Sequence, residues 1–209
     1  MVGIVINVTI VVLTLYAWAQ ILLGTGSDEE LSARGIESLK YYTILSNLLS
    51  AAASLAFVAA SLAGGHVGPD SWIVALKLAS TTSVMITFLV TLTLLAPSFG
   101  WRALYAGGNF WLHLVLPLLA LLDLCLFVPA GSSPFWFVFV AVVPTFMYSI
   151  GYVRSVLVHG AEENGRVYDF YGFMRWGADK IFVVAAVMLV VTFLIALALR
   201  ALSSVAGAV

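Results

Sequence analysis

The chain has 209 residues, of which 63% are hydrophobic and 9% charged, and its mean hydropathy is +1.11. Soluble domains carry about 25% charged residues; a soluble fold of this length has no interior large enough for so much apolar surface, so the bilayer is the expected solvent. Nine Lys+Arg against ten Asp+Glu give a net charge of −1, which carries no nucleic-acid signature, and the single cysteine, Cys125, excludes a disulfide framework and a cysteine-ligated zinc or iron–sulfur site.

A spanning helix needs about 20 apolar residues. Six runs qualify: Ile4–Leu23, Tyr41–Ala63, Trp72–Ala96, Gly107–Val128, Phe135–Val158 and Ala178–Leu202. Turn chemistry separates them, at Gly24-Thr-Gly-Ser27, at Gly64-Gly65 with Pro69, from Pro97 to Gly100 and from Pro129 to Pro134. The runs are too long for the roughly ten-residue strands of a membrane barrel. The expected fold is all-α: a single domain, residues 1–209, built as an integral membrane bundle of six transmembrane helices. The first run lacks a basic leader and a cleavage site, so it is expected to be retained as a helix.

Lys and Arg near helix ends set orientation. The first, third and fifth connections hold Arg34, Lys40, Arg102, Arg154, Arg166 and Arg175, with Lys180 close by; the opposite side holds Lys77 and Arg200. The richer side is expected to be cytoplasmic, with both termini outside. The acids of the first connection (Asp28, Glu29, Glu30, Glu37) count little in this rule.

Polar groups inside apolar runs cost free energy unless paired, which makes them the informative positions. In the second run Thr43, Asn47, Ser50 and Ser54 share one face, which must look into the bundle. Small hydroxyls there are ordinary packing glue; Asn47 is less easily dismissed, because a buried amide wants several partners. The third run carries Ser80, Ser83, Thr87 and Thr91, read as packing, and Lys77, expected to snorkel outward.

The fourth run contains Asn109, His113, Pro117 and Asp123. His113 is the one histidine inside an apolar run; His66 and His159 sit in or beside loops. Asp123 lies ten residues on, about 15 Å along the axis, too far to orient His113, and is either a partner for another helix or the lining of an opening on the far side. In the fifth run Pro144 is expected to kink the helix and free a carbonyl. Tyr148 and Tyr152 share a face near its end, followed by Arg154 and by a loop, Tyr168-Asp-Phe-Tyr-Gly172, that can fold over the helix ends. Thr43, His113, Tyr152 and Arg154 fall at one level on the basic side. A hydroxyl, an imidazole, amides and a guanidinium there are the minimal kit for acyl transfer: nucleophile, base and oxyanion donors.

Tyr42-Thr-Ile-Leu-Ser-Asn47 and Asn109-x3-His113-x3-Pro117 resemble the androgen-induced / androgen-dependent-TFPI-regulating protein family, small multi-spanning threonine hydrolases of fatty acid esters of hydroxy fatty acids (FAHFAs). The likeness is closest to its bacterial six-helix branch, through His113-x3-Pro117-x5-Asp123, the stretch from Tyr148 to Arg154 and the step Tyr168-Asp169. It implies a bacterial cytoplasmic-membrane enzyme whose nucleophile is Thr43 and whose base is His113, working through an acyl-Thr43 intermediate. Asn47, Asn109, Tyr148, Tyr152 and Arg154 are then candidates for the oxyanion or substrate contacts, with Asp123 a structural polar group. Fatty acid esters or membrane lipids are the implied partners, with no metal and no cofactor.

The alternative is a non-enzymatic lipid-binding, transport or accessory protein. With Lys77 snorkelling, Asp123 is the one clear deep charge, which weakens proton-coupled transport. A b-type cytochrome needs two placed histidines, and a rhomboid-type protease needs a GxSG order that Gly24-Thr-Gly-Ser27 lacks.

Overall fold

The computed structural model describes residues 1–25, 35–65 and 67–206. Arg34, Asp28, Glu29 and Glu30 of the charge count, Gly26 and Ser27 of the first turn, and His66 lie outside the described residues. The described chain is nearly all helical, with six helices long and apolar enough to cross a membrane: α1 (Val2–Leu23), α2 (Tyr42–Leu62), α3 (Trp72–Phe99), α4 (Gly107–Phe127), α5 (Phe137–His159) and α6 (Ile181–Ala206). They are compatible with an integral membrane protein. The third helix runs on to Phe99, past the expected end at Ala96.

Local chemistry explains the ends. α1 stops at Gly24, whose left-handed backbone (φ 63°, ψ 28°) lets the Thr25 amide donate back to the Gln20 carbonyl at 3.0 Å. Ser71 caps α3, its hydroxyl accepting from the Ile73 amide at 3.2 Å. α2 starts from Tyr41 in extended geometry (φ −83°, ψ 133°) with no side-chain cap.

α3 is the central post. It packs against α2, α4, α5 and α6, while α1 packs against α2 and α4. Of its most apolar window 72% is buried, against 17% for α6, whose outer side is left for lipid. This burial accounts for the polar stripe of α3. The hydroxyls of Ser80, Ser83 and Thr87 donate to carbonyls one turn back in their own helix, at 3.1, 2.8 and 3.0 Å, so their hydrogens are satisfied in an apolar interior; Thr87 also meets the Ser46 hydroxyl of α2 at 3.2 Å.

Lys77 does not snorkel. It has no exposure, and its ammonium meets Asp123 at 2.6 Å, Asn7 at 2.9 Å and Ser54 at 3.2 Å. Asn7 in turn donates to the second oxygen of Asp123 at 2.6 Å. The cause is position: five residues inside the most buried helix, the side chain has a carboxylate on α4 within reach. The ion pair joins α1, α2, α3 and α4 at the end of the bundle opposite Thr43. Two deep charges are present, not one, so the argument against transport from a lone Asp123 falls.

Two helices carry one wide turn each, with five-residue closure: Thr91–Leu95 in α3 and Trp111–Val115 in α4. Each is followed at the same offset by a proline, Pro97 and Pro117. A proline ring clashes with the carbonyl four residues back and supplies no N–H; widening the preceding turn relieves the clash. Pro144 lies inside α5, which continues through it as ordinary α-helix.

Between α5 and α6 the chain makes a small hairpin, Glu162–Glu163 against Arg166–Val167. Asn164 and Gly165 turn it with positive φ (52° and 74°), as such a two-residue turn requires. The segment then folds over the end of the bundle where α2 begins.

Candidate functional site

Thr43 stands in the first turn of α2 and His113 in the widened turn of α4, 70 residues apart. Their Oγ1 and Nε2 atoms are 3.1 Å from each other. Both residues are buried, at 9% and 4% exposure. On its other side, His113 Nδ1 lies 2.7 Å from the Leu104 carbonyl oxygen. A carbonyl only accepts, so Nδ1 carries the hydrogen and Nε2 is the bare acceptor facing the Thr43 hydroxyl. Leu104 belongs to a short helix, Trp101–Tyr105, after which the chain turns extended at Ala106 (φ −94°, ψ 156°). Its carbonyl is one of those a helix end leaves without an internal donor, and His113 takes it. The edge of the imidazole meets the Tyr105 ring, centroids 6.2 Å apart at 75°.

Thr43 lies in the wall between two cavities. One, of about 80 Å³, lies among α2, α3, α5 and α6, with Ile86, Val90, Val184 and Met188 among its apolar walls. The other, of about 400 Å³, is lined by Lys40, Asn109, His113, Phe99 and Phe170. Thr43, Leu95 and Tyr171 border both. Among the described residues Lys40 is the one cationic side chain lining either; its ammonium sits 5.4 Å from the Phe170 ring and 5.5 Å from the Tyr41 ring.

The five oxyanion candidates separate. Asn109 lines the larger cavity, one turn before His113, and donates to the Ala103 carbonyl at 3.4 Å. Tyr148 lines the smaller one, its hydroxyl donating to the Lys40 carbonyl at 2.7 Å. Tyr152 also lines it, but its hydroxyl is held by Asp169. Asn47 is fully buried beneath the site, its amide group donating to the Thr43 carbonyl at 2.8 Å and the Leu112 carbonyl at 3.2 Å; with both hydrogens committed, it has none for an oxyanion. Arg154 is exposed on the outer side of α5 and lines neither cavity. Its place in the series follows the helix period: two residues beyond Tyr152 points away from the bundle. Asp123 sits in the ion pair at the other end.

Sequence reasoning missed Lys40, Tyr171 and the Leu104 carbonyl as parts of the site. The Tyr171 hydroxyl accepts from the Tyr42 amide at 2.8 Å, which ties the covering loop to the turn that carries Thr43. Burial raises the Tyr171 phenol above its ordinary value, so it stays neutral. Asp169 holds that loop in shape: besides Tyr152, its carboxylate accepts from the amides of Phe173 at 2.9 Å and Met174 at 2.8 Å. The signal available was Tyr168-Asp-Phe-Tyr-Gly172, an acid between aromatics after a span.

Comparison of the chain with protein-family models, with curated proteins and with solved structures finds no match.

Proposed function

We propose that this protein is an intramembrane lipid ester hydrolase acting on FAHFA-like fatty esters, with Thr43 as nucleophile and His113 as base. The observation that carries the reading is the contact at 3.1 Å between the Thr43 hydroxyl and the unprotonated Nε2 of His113, its other nitrogen fixed by a carbonyl. A threonine hydroxyl is a weak nucleophile until a base takes its proton, and the tautomer set by Leu104 leaves His113 ready to do so. In the charge-count orientation the site faces the cytoplasmic side and both termini lie outside, and the motif resemblance fits a bacterial cytoplasmic membrane.

In the proposed reaction Thr43 Oγ1 attacks the ester carbonyl while His113 Nε2 accepts its proton. The tetrahedral intermediate collapses, the C–O bond to the alcohol breaks, and His113 returns the proton to the leaving oxygen. Water, deprotonated by the same nitrogen, then attacks the acyl-Thr43 ester; the C–O bond to Thr43 breaks, His113 returns the proton to Oγ1, and the acid is released. The Thr43 amide, in the first turn of α2, has no acceptor within its helix and lies at the positive end of the helix dipole; with Asn109 it supports the oxyanion.

The test is hydrolysis of a medium-chain aryl ester by purified protein in detergent. Thr43→Ala and His113→Ala should each lower turnover at least about 10³-fold with unchanged melting, and a fluorophosphonate should modify Thr43 and no other residue. Full turnover in either variant would overturn the assignment of these two residues, and no turnover by the unaltered protein would leave a lipid-binding, transport or accessory role. The buried Lys77–Asp123 pair gives that second reading its specific feature, although the pair lines none of the three cavities described, including one of about 720 Å³ at its end of the bundle.

A further inference from the structure

We infer that Asn47 is a positioning residue that sets His113 against Thr43 through a carbonyl made available by Pro117. The kinetic consequence rests on the hydrolase reading above; the geometry does not.

In a regular helix the Leu112 carbonyl would accept from the Leu116 amide, four residues on. Here the Leu116 N–H goes instead to the Trp111 carbonyl, five residues back. The next amide along the chain belongs to residue 117, which is proline and has no hydrogen. The wide turn and the proline together leave the Leu112 carbonyl without a main-chain donor, inside an apolar bundle where an unpaired carbonyl is costly. Asn47 fills the vacancy from α2, at 3.2 Å.

The same NH2 group gives its other hydrogen to the Thr43 carbonyl at 2.8 Å. One planar group therefore holds the carbonyl of the residue carrying the hydroxyl and the carbonyl of the residue just before the imidazole. Turning the amide over would set its oxygen against two carbonyls, so the orientation is forced. The carboxamide oxygen is buried with no partner, which marks the side chain as present for its two donors. A hydroxyl or an apolar residue cannot span both points. A regular turn at 111–115 would remove the carbonyl that Asn47 reads and rotate His113 about the helix axis.

The test uses full-length protein in detergent carrying Asn47→Leu, the near-isosteric Asn47→Asp, Pro117→Ala, or Asn47→Leu with Pro117→Ala. Each single change should lower kcat for the aryl ester about 10²-fold, the scale of a misplacement near 1 Å, with KM moving less than about twofold. The double variant should lose no more than the worse single one, because both changes break one device. Independently of turnover, the Nε2 signal of His113 in ¹⁵N-histidine-labelled protein, identified by its loss in His113→Gln, should move in each Asn47 variant toward that of an imidazole nitrogen without a hydrogen bond. Unchanged kcat, a rise in KM alone, additive losses, or an unmoved Nε2 signal in folded Asn47→Leu and Asn47→Asp would overturn the inference. If the unaltered protein hydrolyses no ester, the hydrolase reading fails and the ¹⁵N signal alone decides the role of Asn47.

Discussion

Lys77 and Asp123 meet 2.6 Å apart inside the bundle, neither with any exposed surface, one on α3 and one on α4. Removing either partner strands a charge in an apolar medium, at a cost of about 3–5 kcal/mol, whereas replacing both by apolar groups of similar size is close to neutral. Lys77→Met and Asp123→Leu should therefore each melt well below the parent in the same detergent, and the double variant should recover most of the loss. The pair is at the end of the bundle away from Thr43, so specific turnover per folded molecule should stay within about twofold in the double variant. Additive destabilisation would contradict the pairing.

Gly131 is a point where the backbones of two segments touch. A Cβ there would lie 2.3 Å from the main-chain N and Cα of Ser204 on α6, and a helix backbone does not move aside as a flexible side chain does. Gly131→Ala should cost more than about 3 kcal/mol, beyond the usual range for overpacking. Gly151, within α5, has nothing within 4 Å of its added Cβ, and Ala there should stabilise the helix by about 0.5–1 kcal/mol. Thermal melts of the two variants should move in opposite directions.

Lys40 brings a cation to the cavity that holds His113 and the Thr43 hydroxyl. A carboxylate at the free end of a substrate would pair with it, and a charge-assisted contact contributes about 1.5–3 kcal/mol. Lys40→Met should raise KM at least about tenfold for an ester bearing a free carboxylate and leave the methyl ester of the same compound within about twofold. An equal change for both would show that the cation does not read that group.

The loop over the site hangs on Asp169, whose carboxylate takes the Tyr152 hydroxyl and two amides. Asp169→Asn keeps the shape and removes the charge that strengthens those bonds. Trypsin should then cut faster at the exposed Arg166 and Arg175 on either side, with the helices left intact. Cleavage rates equal to the parent's would mean that the aromatic packing of Phe170, Tyr171 and Phe173 holds the loop by itself.

Hydropathy along the chain marks all six helices because crossing a bilayer takes some 20 apolar residues in each, whether they face lipid or other helices. The level shared by Thr43 and His113 also follows from helix direction and rise per residue. Lateral packing leaves no such trace. Lys77 lies at a depth where snorkelling and pairing read alike in sequence, and only the contact of α3 with α4 decides between them. The partner of His113 Nδ1 is a main-chain carbonyl, a group every residue carries, so no side-chain pattern announces Leu104. Pro117 is plain in the sequence, but which carbonyl it strands depends on the wide turn before it; the kink is expected at Pro144 instead, where α5 runs on as α-helix. Asn164-Gly165, directly after a pair of glutamates, is the one Asn-Gly step in the sequence, and hydropathy passes over it.

Thr43 forms part of the partition between two chambers. If the proposed hydrolysis takes place there, the two halves of the ester have separate chambers to leave by, and neither has to pass the other to escape. Product inhibition would then be of a non-exclusive kind: released alcohol and released acid could occupy the protein together, each blocking only its own exit, and the slower departure would govern how long the protein stays shut to the next molecule.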